Sequence, residues 1–226
     1  MYHDAPPDEY DTHHDDALSE PSPDTPRGLQ AVMGWLYDRA VSGIAGIESA
    51  ATLAERYLDD AGGDAALAAR NMIRWESIKA GSSGFLSGAG GLAALPLTLP
   101  LNITSVLFIQ TRLVAALACL GGHRLSDERI RALCGLCLCG NAAKALLQDM
   151  VMKMAEQWTP VLTCRVAEKT LVLMLARTGM STGGQLVRLL PLAGGVVSGT
   201  VDAVSTRTIG HLAFDTFLHT PAPGQP

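Results

Sequence analysis

Residues 80–111 read AGSSGFLSGAGGLAALPLTLPLNITSVLFIQT, a run of 32 positions without one Asp, Glu, Lys or Arg. Such a run looks at first like a membrane span. Pro96 and Pro100 interrupt it, however, and Gly81, Gly84, Gly88, Gly90 and Gly91 weaken its first half as a helix. The pieces left over, 80–95 and 101–111, are shorter than the roughly 20 residues that a spanning helix needs. Extending the second piece to Gly121 reaches that length but takes in Asn102, Gln110 and Arg112, and a central Arg costs about 2.5–3.5 kcal/mol on insertion scales. A single clean span is therefore disfavoured.

Basic residues flank the run on both sides, Arg70, Arg74 and Lys79 before it and Arg124, Arg129 and Arg131 after it. If the segment meets a bilayer, both ends should stay on the cytoplasmic side, which describes a re-entrant or interfacial hairpin. The lipid-free alternative is an internal pair of core helices joined by a Pro-bounded turn. Composition favours lipid contact: apolar residues make up 48 % of the chain, charged ones 17 %, and mean hydropathy stays positive even with a strongly acidic N-terminus counted.

Outward from this run the pattern is helical. Leu29, Met33, Leu36, Ala40, Ile44, Ile47, Ala51, Ala54 and Leu58 recur at spacings of three and four, which predicts one amphipathic helix over 28–60, with Gly43 and Gly46 as close-approach notches. Gly62-Gly63 should stop it, and Asp64 should cap the next, which carries Leu67, Ala68, Met72, Trp75 and Ile78 up to Gly81. Ser126, followed by acids in the first turn, predicts an N-cap for a helix running towards Gly140, and 141–157 continues the pattern. Pro160 marks another start; residues 161–177 fit helix and admit strand. A second Gly/Pro-punctuated apolar run, 189–201, leads into a last helix, and the two interrupted runs are expected to pack together.

The 226 residues suit one large domain, or one domain plus a tail. Residues 1–26 hold eight acidic side chains, five prolines and no Lys or Arg, too little apolar area to offset chain entropy, and read as a disordered arm. The remainder carries 14 acidic and 17 basic residues, so an arm of −8 precedes a body of +3 and could screen a basic face from anionic lipid. The bland alternative is a solubilising tail. A whole-chain charge of −5 argues against nucleic acid. Five Cys without a signal-like leader point to a reducing cytoplasm.

Several residues invite a catalytic or metal reading. Gly179-Met180-Ser181-Thr182-Gly183 matches a nucleophile elbow, with Asp202 and His211, or Asp215 and His219, following in the right order. An elbow needs a parallel sheet, which a helical chain lacks. Cys134 and Cys137 would share a helix face while Cys139 points away, and flanking leucines make them small buried apolar residues. Tail residues His3, His13 and His14 have no surroundings to orient a metal. Gly84 to Gly91 lacks the Lys-Ser/Thr ending of a phosphate loop. No metal or cofactor is expected.

The pattern Gly84-Phe85, Gly88, Gly90-Gly91, Pro96, Pro100, Gln110-x-Arg112, Gly121, Asp127 and Arg131 resembles the signature block of the EcsC protein family. Pro191, Gly194-Gly195, Gly199, Thr206-Arg207, Ile209-Gly210 and Ala213 resemble its C-terminal half. The resemblance covers roughly residues 30–218 and implies a helical, membrane-associated bacterial protein. No reaction is established for the family, whose namesake is encoded beside an ABC exporter. The Cys-rich patch and the acidic arm depart from the usual pattern.

The expectation is an all-α chain: a disordered acidic arm (1–26), a single EcsC-like helical domain (27–219) and a disordered tail (220–226). Its expected role is a non-catalytic accessory protein, peripheral or re-entrant at the inner face of the cell membrane, with lipid and a membrane protein such as an ABC transporter as partners and no nucleic acid. The alternatives are a lipid-directed serine hydrolase using Ser181, Asp202 and His211, and a soluble helical module holding an apolar ligand between the two interrupted blocks. Gln110, Arg112, Asp202 and Arg207 are the candidate functional polar groups, with Arg112 and Asp202 expected to pair, because an unpaired buried Arg costs several kcal/mol.

Overall fold

The computed structural model describes residues 26–44, 46–89, 95–154, 159–177 and 191–219. The arm up to Thr25 and the tail from 220 onward lie outside them. All the described elements are helical, and no strand occurs among the described residues.

The apolar stripe over 28–60 forms two helices rather than one, α1 (Pro26–Ser42) and α2 (Ala50–Asp60). The sequence period runs through the break, but Gly43 and Gly46 take φ of +79° and +81°, where a helix cannot continue. Ile44 and Ile47 then exchange two backbone hydrogen bonds across the tight turn. Ser49 caps α2 by accepting from the Thr52 amide.

Gly62 and Gly63, both at positive φ, end α2, and Asp64 accepts from the Leu67 amide to start α3 (Ala65–Ala89), as the sequence predicts. α3 does not stop at Gly81. A Cβ there would sit 3.0 Å from the Ala203 Cβ and the Gly199 carbonyl oxygen of α8 (Pro191–Leu218), so the missing side chain is what lets the two backbones approach, and packing overrides propensity. Nor do Pro96 and Pro100 break the next element: α4 (Leu95–Leu120) begins at Leu95 and runs through both. Pro96 lies in the first turn, where an amide has no helical partner to lose, and Pro100 forgoes a single bond.

The remaining elements are α5 (Glu128–Leu138), a 3-10 turn (Gly140–Ala143), α6 (Lys144–Met154) and α7 (Pro160–Arg177). The cap of α5 is Asp127, accepting from the Arg129 amide, one residue beyond the expected Ser126. Residues 161–177 are helix. Run 189–201 is also helical from Pro191, which has the preset φ that suits a first turn.

α4 is the central element, touching α1, α2, α3, α5 and α8, and every residue from Gln110 to Ala118 is buried. A helix apolar all round is a core helix, and Leu113 to Ala118 is one. Two registers organise the bundle. Ile73 against Gly210 and Gly81 against Gly199 and Ala203 make α3 and α8 antiparallel. Gln110 against Thr206, Leu113 against Gly210 and Gly121 against Phe217 make α4 and α8 parallel and level with each other.

Candidate functional site

These registers gather three segments at one end of the molecule. The last turns of α3 (81–89), the first turns of α4 (95–105) and the first turns of α8 (191–201) all point the same way, and none carries a charged side chain. At about 1.5 Å per residue this end is about 12–15 Å long. The two interrupted blocks thus pack together, as expected. Of the residues carrying the family resemblance, Gly88 lies in α3, Pro96 and Pro100 in α4, and Gly194 and Gly195 in α8; Gly90 and Gly91 lie outside the described residues.

A layer of polar groups lies directly behind this end. Glu76 of α3 is fully buried, accepting from Lys79 Nζ at 2.7 Å and from Arg112 Nη2 at 3.2 Å. Arg112 Nη1 also donates to the Glu48 carbonyl oxygen at 3.4 Å. The Glu48 carboxylate in turn holds Arg56 at 2.6 Å, and the hydrogen bond from that guanidinium keeps its pKa below the usual carboxylate range. Arg112 therefore does find a buried carboxylate, but it is Glu76 and not Asp202. Sequence separation gives no hint of that partner; the usable signal is that Glu76 is the lone acid of α3, spaced i,i+3 from Lys79.

The tie between the two blocks is made instead by Gln110, whose Nε2 donates to Thr206 Oγ1 at 3.0 Å and to Ser205 Oγ at 3.4 Å. Asp202 is half-buried and Arg207 is exposed on α8.

Asp202 and His211 of the hydrolase constellation are not brought together. Ser181 lies outside the described residues, while Asp202 and His211 both lie in α8, nine positions apart. That spacing puts them on opposite faces and about 13 Å apart along the axis, beyond any hydrogen bond. Asp215 and His219 do approach, at 3.8 Å, as an exposed pair on the last turn and just beyond it. Cys134, Cys137 and Cys139 are buried, as small apolar residues would be, and burial pushes the Cys137 thiol up to about 12. Among the described residues no group of three metal-ligating side chains occurs.

A cavity of about 840 Å³ opens between α1, α5 and α7, lined by Met33, Tyr37, Leu125, Ala132, Thr170 and Met174 among others. Asp38 and Arg131 form a 3.0 Å ion pair at its wall, and the Thr170 hydroxyl is buried there with no partner among the described residues. This space for an apolar ligand lies between α1, α5 and α7. No helix among the described residues is long and apolar enough to cross a membrane. No family model, curated protein or solved structure matches the chain.

Proposed function

We propose that this chain is a non-catalytic, membrane-associated interaction protein of the EcsC type, working at the cytoplasmic face of a bilayer. The observation that supports this reading most is the convergence of 81–89, 95–105 and 191–201 at one end of a bundle whose nearest buried charges, Glu76 and Arg112, neutralise each other. Hydrocarbon accepts a helix end without ionised groups, and a length of about 12–15 Å corresponds to about half of a ~30 Å hydrocarbon core. The chain would enter one leaflet, with both termini of the hairpin on the same side. The family resemblance adds a membrane-protein partner, an ABC-type transporter being the namesake's neighbour.

Vesicle co-sedimentation tests this. The full chain should pellet with phospholipid vesicles and stay bound in concentrated salt, because the contact is apolar. Replacing Leu86 and Val196 by Asp should release it while leaving its helical circular dichroism in place. A chain that stays in the supernatant with every vesicle overturns the reading.

The cavity beside Thr170 favours a second reading, a soluble helical module that carries an apolar ligand. Extraction of a stoichiometric apolar molecule from the purified monomer, abolished in Met174→Trp, would support that reading over the first.

A further inference from the structure

We propose that the solvent face of the α3–α8 pair is a cationic collar that docks on anionic phospholipid headgroups when the charge-free end enters the bilayer. This rests on the membrane reading above and specifies the lipid. Arg70, Arg74 and Lys79 project from α3 and Arg207 from α8, and all four are exposed. The antiparallel register set by Ile73–Gly210 and Gly81–Gly199 places Arg207 level with Trp75, and Val204 level with Ile78. These neighbours are apolar and equally open to solvent: Trp75 is 53 % exposed, Ile78 47 %, Val201 53 % and Val204 59 %.

Among the described residues, neither helix presents an exposed acid between Arg70 and the charge-free end; the exposed Asp64 and Asp215 lie beyond Arg70. Glu76, the lone acid of α3, is turned inward and neutralised by Arg112 and Lys79. On α8, Asp202 is half-buried, and Asp215 stands at the far end of the helix, beside His219. Moving away from the charge-free end, the order is therefore Val201, then Val204 and Ile78 beside Lys79, then Trp75 with Arg207 and Arg74, and finally Arg70. Trp, Ile and two Val interleaved with arginines on one face suit a membrane interface, where an indole ring seats at headgroup level and guanidinium groups pair with phosphate.

The test compares the full chain with Arg70→Gln/Arg74→Gln/Arg207→Gln, a variant that touches no buried contact. Binding is measured to neutral phosphatidylcholine vesicles and to vesicles enriched in phosphatidylglycerol. Each surface cation is worth about a fivefold change in affinity, so the triple variant should bind anionic vesicles about a hundredfold more weakly, with little change on neutral ones. A second readout is the emission of Trp75, with Trp35 and Trp158 replaced by Phe, which should be quenched by brominated lipid in anionic vesicles. Equal binding of the full chain to neutral and anionic vesicles would overturn the collar and leave the membrane reading standing. Failure to bind either kind would remove both. Preference for a DNA duplex over anionic vesicles would also overturn it, as would a Trp75 that is bound but unquenched.

Discussion

Arg112 Nη2 meets Glu76 Oε2 at 3.2 Å with both side chains withdrawn from solvent, so a charge from the central helix is cancelled by one from its neighbour just behind the charge-free end. Two ions in an apolar bundle are costly to place and costlier to separate. Arg112→Ala leaves Glu76 with Lys79, itself half-exposed, as its remaining cation. We expect a loss of about 3 kcal/mol, in the range for breaking a buried pair. Glu76→Gln/Arg112→Met should recover most of it, as read by urea unfolding.

The parallel packing of α4 and α8 closes at Gly121, where an added Cβ would overlap the Phe217 carbonyl oxygen. His123 Nε2 lies 3.0 Å from the same oxygen, and a carbonyl only accepts, so the proton sits on Nε2. Gly121→Ala must push the two helix ends apart and disturb this bond as well. An overpacked backbone contact of this kind costs about 1–3 kcal/mol. Gly62→Ala serves as a contrast: nothing lies within 4 Å of its Cβ, so its cost comes from the positive φ alone. Differential scanning calorimetry should show a lower midpoint for Gly121→Ala, with His123→Phe losing stability in addition.

How much of this was legible beforehand follows from the range of the forces involved. Asp64 as a cap and Gly62-Gly63 as a stop are local events, decided within four residues, and they stand in the structure as the sequence suggests. Gly43 escaped because a period of three to four carries on through a tight turn that happens to preserve phase. Helix α3 runs past Gly81 because of Gly199 and Ala203, more than a hundred residues away, a contact no local propensity contains. The same holds for the site. That Arg112 needs a buried carboxylate follows from charge alone, but which carboxylate is decided by the crossing of α3 and α4.

The thiols divide by burial. Cys164 is exposed, whereas Cys134, Cys137 and Cys139 are buried and Cys119 half-buried. Burial pushes Cys119 up to about 11 and Cys137 up to about 12, and holds Cys134 well above the ordinary thiol value with the neighbouring Cys137 adding to it. In the folded chain at neutral pH, iodoacetamide should therefore modify Cys164 quickly and the other four only after unfolding. Peptide mapping of the alkylated chain checks this.

The same groups set an alkaline limit. Below the ordinary thiol value of 9.0, Cys137 is protonated in folded and unfolded chains alike. Between that value and about 12 the unfolded chain releases a proton that the folded chain keeps, so stability falls as pH rises. Tyr37, raised by burial, acts in the same direction. Urea midpoints should hold up to about pH 9 and then decline, and Cys137→Ala should flatten the decline; an unchanged midpoint through this window would contradict the assignment.

The acidic arm gives a prediction that joins sequence charge to the collar. Residues 1–26 carry −8 and the remainder +3, so the arm is the largest block of opposite charge available to Arg70, Arg74 and Arg207 within the same molecule. An intramolecular anion competes at an effective concentration in the millimolar range for a short tether, well above that of vesicle surface in a dilute assay. A chain beginning at Arg27 should therefore bind phosphatidylglycerol vesicles more tightly than the full chain at low ionic strength. The difference should shrink as salt is added and vanish in the Arg70→Gln/Arg74→Gln/Arg207→Gln background. Equal affinities at low salt would reduce the arm to a solubilising tail and leave the collar untouched.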